Sequence, residues 1–213
     1  MKIIGLPLLG LLLALSAQAQ DIPTQLNGKL VALRGKSALP FAAPDLPKAK
    51  YIALYFSAGW CGPCRQFTPN LVKFYNEMRP SHPEFEIVFL SQDEGASAME
   101  KYMSEMSMPW PALRYSAVKG SRLAKYSGSG IPCLVLLDEK GEVLSHSYVS
   151  GNYVGPGKVM RDLNKLLTGD GSGIATSGPA TPVPVAATAA TPAGNSIKSP
   201  SGTNWDEAFK KKP

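Results

Sequence analysis

Two thiols stand three positions apart, Cys61 and Cys64, within Trp60-Cys61-Gly62-Pro63-Cys64-Arg65. An apolar run of β-type residues, Tyr51 to Ser57, leads into them, and a run with helical spacing follows. In that setting Cys-x-x-Cys is a redox pair: one thiolate attacks a foreign disulfide, and the second thiol resolves the mixed disulfide.

The first four N–H groups of a helix lack intrahelical partners and carry its positive pole, so an anion is stabilised there. A thiolate on Cys61 is expected to use those donors. A free cysteine pKa of about 8.5 then falls toward about 7, which raises the ionised fraction at neutral pH from a few per cent to about half. Pro63 suits the first turn, where its missing N–H costs nothing, and Gly62 leaves no side chain in the way of a partner. Cys64 shares a helical face with Cys61 and is expected to turn inward as the resolving thiol. A zinc site would need two further ligands, and Cys133, His82 and His146 offer no second pair at zinc spacing. A structural disulfide closing so short a loop would constrain the unfolded chain little. The expected cofactor is therefore the Cys61-Cys64 dithiol alone, with no metal.

The elements that hold this pair follow from periodicity. Tyr51 to Ser57 is a buried strand. Cys61 to Met78 carries Phe67, Leu71, Phe74, Tyr75 and Met78 at helical spacing, and Phe85 to Ser91 is a second apolar strand. Such a β-α-β unit should be parallel. Ala96 to Met106 and Ser121 to Tyr126 are helical in pattern, Cys133 to Leu137 and Glu142 to Val149 form a hairpin around Asp138-Glu139-Lys140-Gly141, and Lys158 to Leu167 is a closing helix.

The ends differ from this core. Lys2, an apolar stretch from Ile3 to Leu15 and Ala17-Gln18-Ala19 have the form of a signal peptide over 1–19. The stretch is shorter than the roughly twenty residues of a membrane span, so no stable insertion is expected after cleavage. The predicted location is outside the cytoplasm, in a bacterial periplasm, where disulfides persist. Residues 169–204 are rich in Gly, Ser, Ala, Thr and Pro and are expected to be disordered, leaving one α/β domain over 20–168. In 205–213, Trp205 and Phe209 stand at i and i+4, either a short docking motif or a frayed terminus. The formal charge of +6 is spread without a basic run longer than three, which argues against nucleic acid as a partner.

Trp60-Cys61-Gly62-Pro63-Cys64, Pro69 five residues further on and Ile131-Pro132 before a buried strand resemble the thioredoxin superfamily. The run Tyr55 to Cys61, Arg65-Gln66-Phe67-Thr68-Pro69, Asp93-Glu94 and Met108-Pro109-Trp110 are similar to its tryparedoxin and nucleoredoxin branch, over roughly Asn27 to Leu167. The resemblance implies an α/β thioredoxin-like three-layer sandwich, a central mixed sheet flanked by helices. It further implies a cis peptide before Pro132, with the Ile131 backbone open to pair with an extended substrate beside Cys61. Pro69 is expected to kink the helix without ending it.

Two departures stand out. Many thioredoxins bury an acid six residues before the first cysteine, where this chain has Tyr55. Its hydroxyl is expected either near Cys64 or as plain core, and Asp93 or Glu94 is either the missing carboxylate or part of a solvated loop. Gly-Pro between the thiols, where that branch often has Pro-Pro, shifts the motif toward general thioredoxins. Trp60 and Arg65 are each open to two readings, substrate contact or ordinary surface and packing. Cys133, where relatives usually have a non-thiol residue, is either a small buried hydrophobe or a third thiol in reach of Cys64 or of a soft metal. His82 is expected in a loop and His146 at an exposed strand position.

The resulting expectation is a secreted thiol-disulfide oxidoreductase that reduces disulfide-containing proteins and is recharged by a separate electron donor. The alternative is a binding module of the same fold that holds a client or Cu(I) without turnover.

Overall fold

Tyr51–Ser57 and Phe85–Ser91 are short runs of mostly branched and aromatic residues, and they form strands β3 and β4. They pair in parallel from Tyr51 opposite Phe85 to Ser57 opposite Ser91. Almost every residue in both is buried, as expected of strands covered on two faces. Helix α2, Gly62–Met78, connects them and buries Leu71, Phe74, Tyr75 and Met78. Each such buried side chain contributes about 1.5–3 kcal/mol. Pro69 lies inside α2, which continues past it.

The computed structural model describes residues 21–169. The leader at 1–19, the chain from 170 and the Trp205 segment lie outside the described residues. The other elements are α1 (Ile22–Leu26), β1 (Leu30–Arg34), β2 (Ser37–Pro40), α3 (Ala96–Glu105), β5 (Ala112–Leu113), α4 (Tyr115–Val118), β6 (Cys133–Asp138), β7 (Val143–His146), β8 (Tyr148–Val149), β9 (Asn152–Tyr153) and α5 (Pro156–Thr168), with 3-10 turns at Leu46–Lys48 and Arg122–Tyr126. The seven-stranded sheet runs β2-β1-β5-β4-β3-β6-β7. It is mixed: β6 is antiparallel to β3 and to β7, whereas β4 is parallel to β3 and β5.

Alternation along the strands divides the interior into two cores. Ala53, Tyr55, Phe89, Leu134 and Leu136 face one side and pack with α2, α3 and α5. Ile52, Leu54, Phe56, Cys133 and Val135 face the other and pack with α1, α4 and the 3-10 turns. This is the three-layer α/β sandwich. Trp110, fully buried, sits edge-on to Tyr55 and Tyr75 at 6.3 and 5.6 Å between ring centres. Such aromatic pairs contribute about 0.5–1.5 kcal/mol beyond their buried area.

Two expectations are corrected. Glu142 to Val149 is not one strand. At Ser147 the backbone N–H still donates to the Leu134 carbonyl, but the hydroxyl takes the place of the backbone acceptor for the Leu134 N–H and also donates to that carbonyl, and the chain then leaves the sheet into a separate β8–β9 hairpin. His146 is buried, not exposed. Its Nδ1 accepts the Tyr148 N–H at 2.8 Å, so the proton sits on Nε2 and is donated to the Tyr126 carbonyl at 3.0 Å. Burial holds this imidazole below its ordinary pKa, and it ties the Arg122–Tyr126 turn to the hairpin. His82 is half-buried beside Glu84.

Candidate active site

The site begins where β3 ends. Asp93, buried just beyond β4, accepts the Gly59 N–H on Oδ1 at 2.8 Å and the Ser91 hydroxyl on Oδ2 at 2.7 Å. Ser91 Oγ in turn accepts the Asp93 N–H at 3.0 Å. This clamp fixes the turn that delivers the motif, and a Cβ on Gly59 would lie 3.0 Å from that of Tyr102. Neither Asp93 nor the exposed Glu94 hydrogen-bonds a sulfur: the carboxylate at this strand end holds the loop. Trp60 donates its indole N–H to the Gln92 carbonyl at 3.2 Å and leaves its ring 65% exposed on the rim.

Cys61 is the N-cap of α2. Its extended backbone places Sγ 3.2 Å from the Cys64 N–H, where a serine or aspartate oxygen ordinarily caps a helix. Gly62 and Pro63 form the first turn, as expected. Cys61 and Cys64 are joined as a disulfide with Cα atoms 5.2 Å apart. Cys61 retains 4% exposure and Cys64 none, so the first cysteine is the one at the surface. The Ile131-Pro132 peptide is cis, and the Ile131 carbonyl oxygen lies 3.8 Å from Cys61 Sγ.

Under the helix lies a group of hydroxyls that sequence reasoning reached only in part. Thr68 Oγ1 donates its one proton to the Cys64 carbonyl at 2.8 Å. Tyr55 and Tyr102, 2.8 and 2.7 Å from the same oxygen, must therefore donate to it. Ser57 Oγ, 2.9 Å from the Tyr102 oxygen, then donates to Tyr102. Burial raises the Tyr55 pKa, so a neutral hydroxyl stands where many thioredoxins carry an acid. Tyr55 is both core and network, one hydroxyl away from Cys64. Thr68 was visible only as part of Arg65-Gln66-Phe67-Thr68-Pro69, and Tyr102 carried no signal.

Arg65 pairs with Glu105 at 2.9 Å, and its guanidinium lies 5.8 Å from the centre of the Tyr102 ring. With Trp60 these residues border an open pocket of about 280 Å³ beside the motif. The third thiol is elsewhere. Cys133 pairs with Phe56 across β3–β6 and points into the core opposite α2, fully buried. Burial pushes its pKa up to about 11. Among the described residues no three His, Cys, Asp or Glu side chains come together. This environment fits the reading of a small buried hydrophobe. Replacing Cys133 by serine is expected to leave the redox potential of the pair and its turnover unchanged, which a dithiothreitol redox titration with an insulin reduction assay checks.

A sulfur pair at a capped helix end, opened by two electrons beside a cis-proline loop on this sheet, is the working part of a thioredoxin-like redox protein. A family model described as Thioredoxin-like matches residues 49–143. Nucleoredoxin of Xenopus laevis is 40% identical over 119 residues, covering 55% of this chain and 27% of that protein. Probable nucleoredoxin 1 of Arabidopsis thaliana is 36% identical over 130 residues, covering 60% and 22%. Tryparedoxin I of Leishmania major superimposes with a TM-score of 0.51 at 29% identity, over 69% of this chain and 91% of that one. The chain belongs to the thioredoxin superfamily, in its nucleoredoxin and tryparedoxin-like branch. It spans about a quarter of the length of the curated relatives it matches.

Proposed function

We propose that this protein is a thiol-disulfide oxidoreductase that reduces disulfides of other proteins through the Cys61-Cys64 dithiol. The observation that carries the reading is the sulfur of Cys61 as helix cap, with the Cys64 N–H 3.2 Å away and Cys64 fully covered. In the reduced protein that geometry favours the thiolate on Cys61 and reserves Cys64 for the second step. The Cys61 thiolate attacks one sulfur of the substrate disulfide, forming a mixed disulfide and releasing the other as a thiolate. Cys64 gives up its proton and attacks Cys61 Sγ, which frees the remaining substrate thiolate and closes the Cys61-Cys64 disulfide. Two electrons pass to the substrate, and the released thiolates take up two protons. A separate dithiol donor returns the pair to its reduced form by the same exchange in reverse. The leader-like residues 1–19 support an exported protein, and the spread of charge speaks for protein substrates over nucleic acid.

A Cys64→Ser variant tests this reading. Reduced and mixed with insulin as the disulfide probe, it should stall at the mixed disulfide and accumulate an adduct that dithiothreitol releases, whereas the wild-type protein turns over. Absence of the adduct, with no insulin reduction by the wild type, would overturn the assignment.

A further inference from the structure

The segment 128–132 that ends in the cis-proline is fitted to the β8–β9 hairpin. A Cβ on Gly128 would lie 2.0 Å from Cε2 and 2.3 Å from Cδ2 of Tyr148, so the tyrosine ring occupies the space a side chain there would need. A Cβ on Gly130 would lie 3.2 Å from the Tyr148 hydroxyl oxygen. Tyr148 stands opposite Tyr153 in the hairpin, with ring centres 5.1 Å apart. Tyr153 reaches back over the loop and donates its hydroxyl to the Pro132 carbonyl at 2.9 Å. The base of the hairpin is fastened. Ser147 O accepts the N–H groups of Val154 and Gly155 at 2.9 and 3.2 Å, and His146 holds the Tyr148 N–H.

We infer that Tyr153 is a positioning residue: its hydroxyl holds the Ile131-Pro132 segment at the height where the Ile131 backbone, beside Cys61, pairs with an extended protein substrate. The inference rests on the disulfide-reductase reading. Tyr153 touches neither sulfur and acts through Pro132. With its hydroxyl absent, the loop keeps its packing on Tyr148 and loses the one directional contact from the hairpin to the proline carbonyl. The substrate must then order the strand edge as it binds.

The test is Tyr153→Phe, which removes one oxygen from a half-exposed ring. For insulin the KM should rise about three- to tenfold, the range of one lost neutral hydrogen bond, at unchanged kcat. Alkylation of the reduced protein by iodoacetamide, which needs Cys61 but no strand pairing, should keep its wild-type rate and pH profile. Amide exchange across 130–133 should speed up by about threefold or more, a readout available whether or not insulin is turned over. An insulin KM and amide exchange both at wild-type values would overturn the inference. So would a fall in alkylation rate parallel to the rise in KM, which would make Tyr153 a general fold residue. Wild-type insulin turnover and the Cys64→Ser adduct test the function reading separately, so its failure is distinguishable from that of Tyr153.

Discussion

Replacing Cys61 by serine should bring insulin reduction down to background, a loss of about a thousandfold or more. The site leaves nothing to compensate. Cys64 is fully buried and packs with Ala58 and Ile131, and Cys133 lies in the opposite core with its pKa pushed up to about 11. A serine oxygen at position 61 would accept the Cys64 N–H as an ordinary cap, so α2 should keep its start and the folded state should remain. The expected result is thus loss of chemistry without loss of structure, read by insulin turnover beside far-ultraviolet circular dichroism. Residual turnover above about one part in a hundred would mean that another thiol can take over the attack.

The second large effect is expected on stability. Asp93→Ala leaves the Gly59 N–H and the Ser91 hydroxyl without the acceptor they share, in a place that is 7% exposed. Each unsatisfied buried donor costs about 1–3 kcal/mol, so urea unfolding of the oxidised protein should show a loss of about 2 kcal/mol or more. Asp93→Asn retains one acceptor oxygen and should cost less. A proton-transfer role for this carboxylate would give the opposite pattern, with stability kept and the Cys64 step slowed.

The fold was legible in sequence where a single element carries its own signature. β3, α2 and β4 are long enough for their periods to be read, and their ends are marked by Ser57 before the motif and the Pro80 to Pro83 turn. The β1–β2 hairpin was missed. β1 carries Leu30, Val31 and Leu33, but β2 has only Leu39 as a large apolar residue and is mostly exposed, and the mark of the pair was the turn at Gly35, whose φ is +65°. β5 is two residues long and exists only because its neighbours align it. His146 misled because a polar side chain in an edge strand reads as exposed, whereas its register opposite Val135 puts the imidazole on the core face, where it reaches a carbonyl 20 residues away. At the site, the cysteine pair and the proline loop were visible as local words. The Gly59 N–H on Asp93, the donation from Tyr102 to Thr68 and the reach of Tyr153 to Pro132 each join segments separated in sequence by 21 to 34 residues, and no spacing rule covers them.

A chain with an odd number of cysteines, cycling between open and closed states, faces a sorting problem each time it closes, since a spare thiol can capture the wrong partner. Here the sheet itself is the barrier. Because Cys133 points into the layer on its far side, the spare thiol is walled off from the pair, and closure is steered to the one linkage seen here.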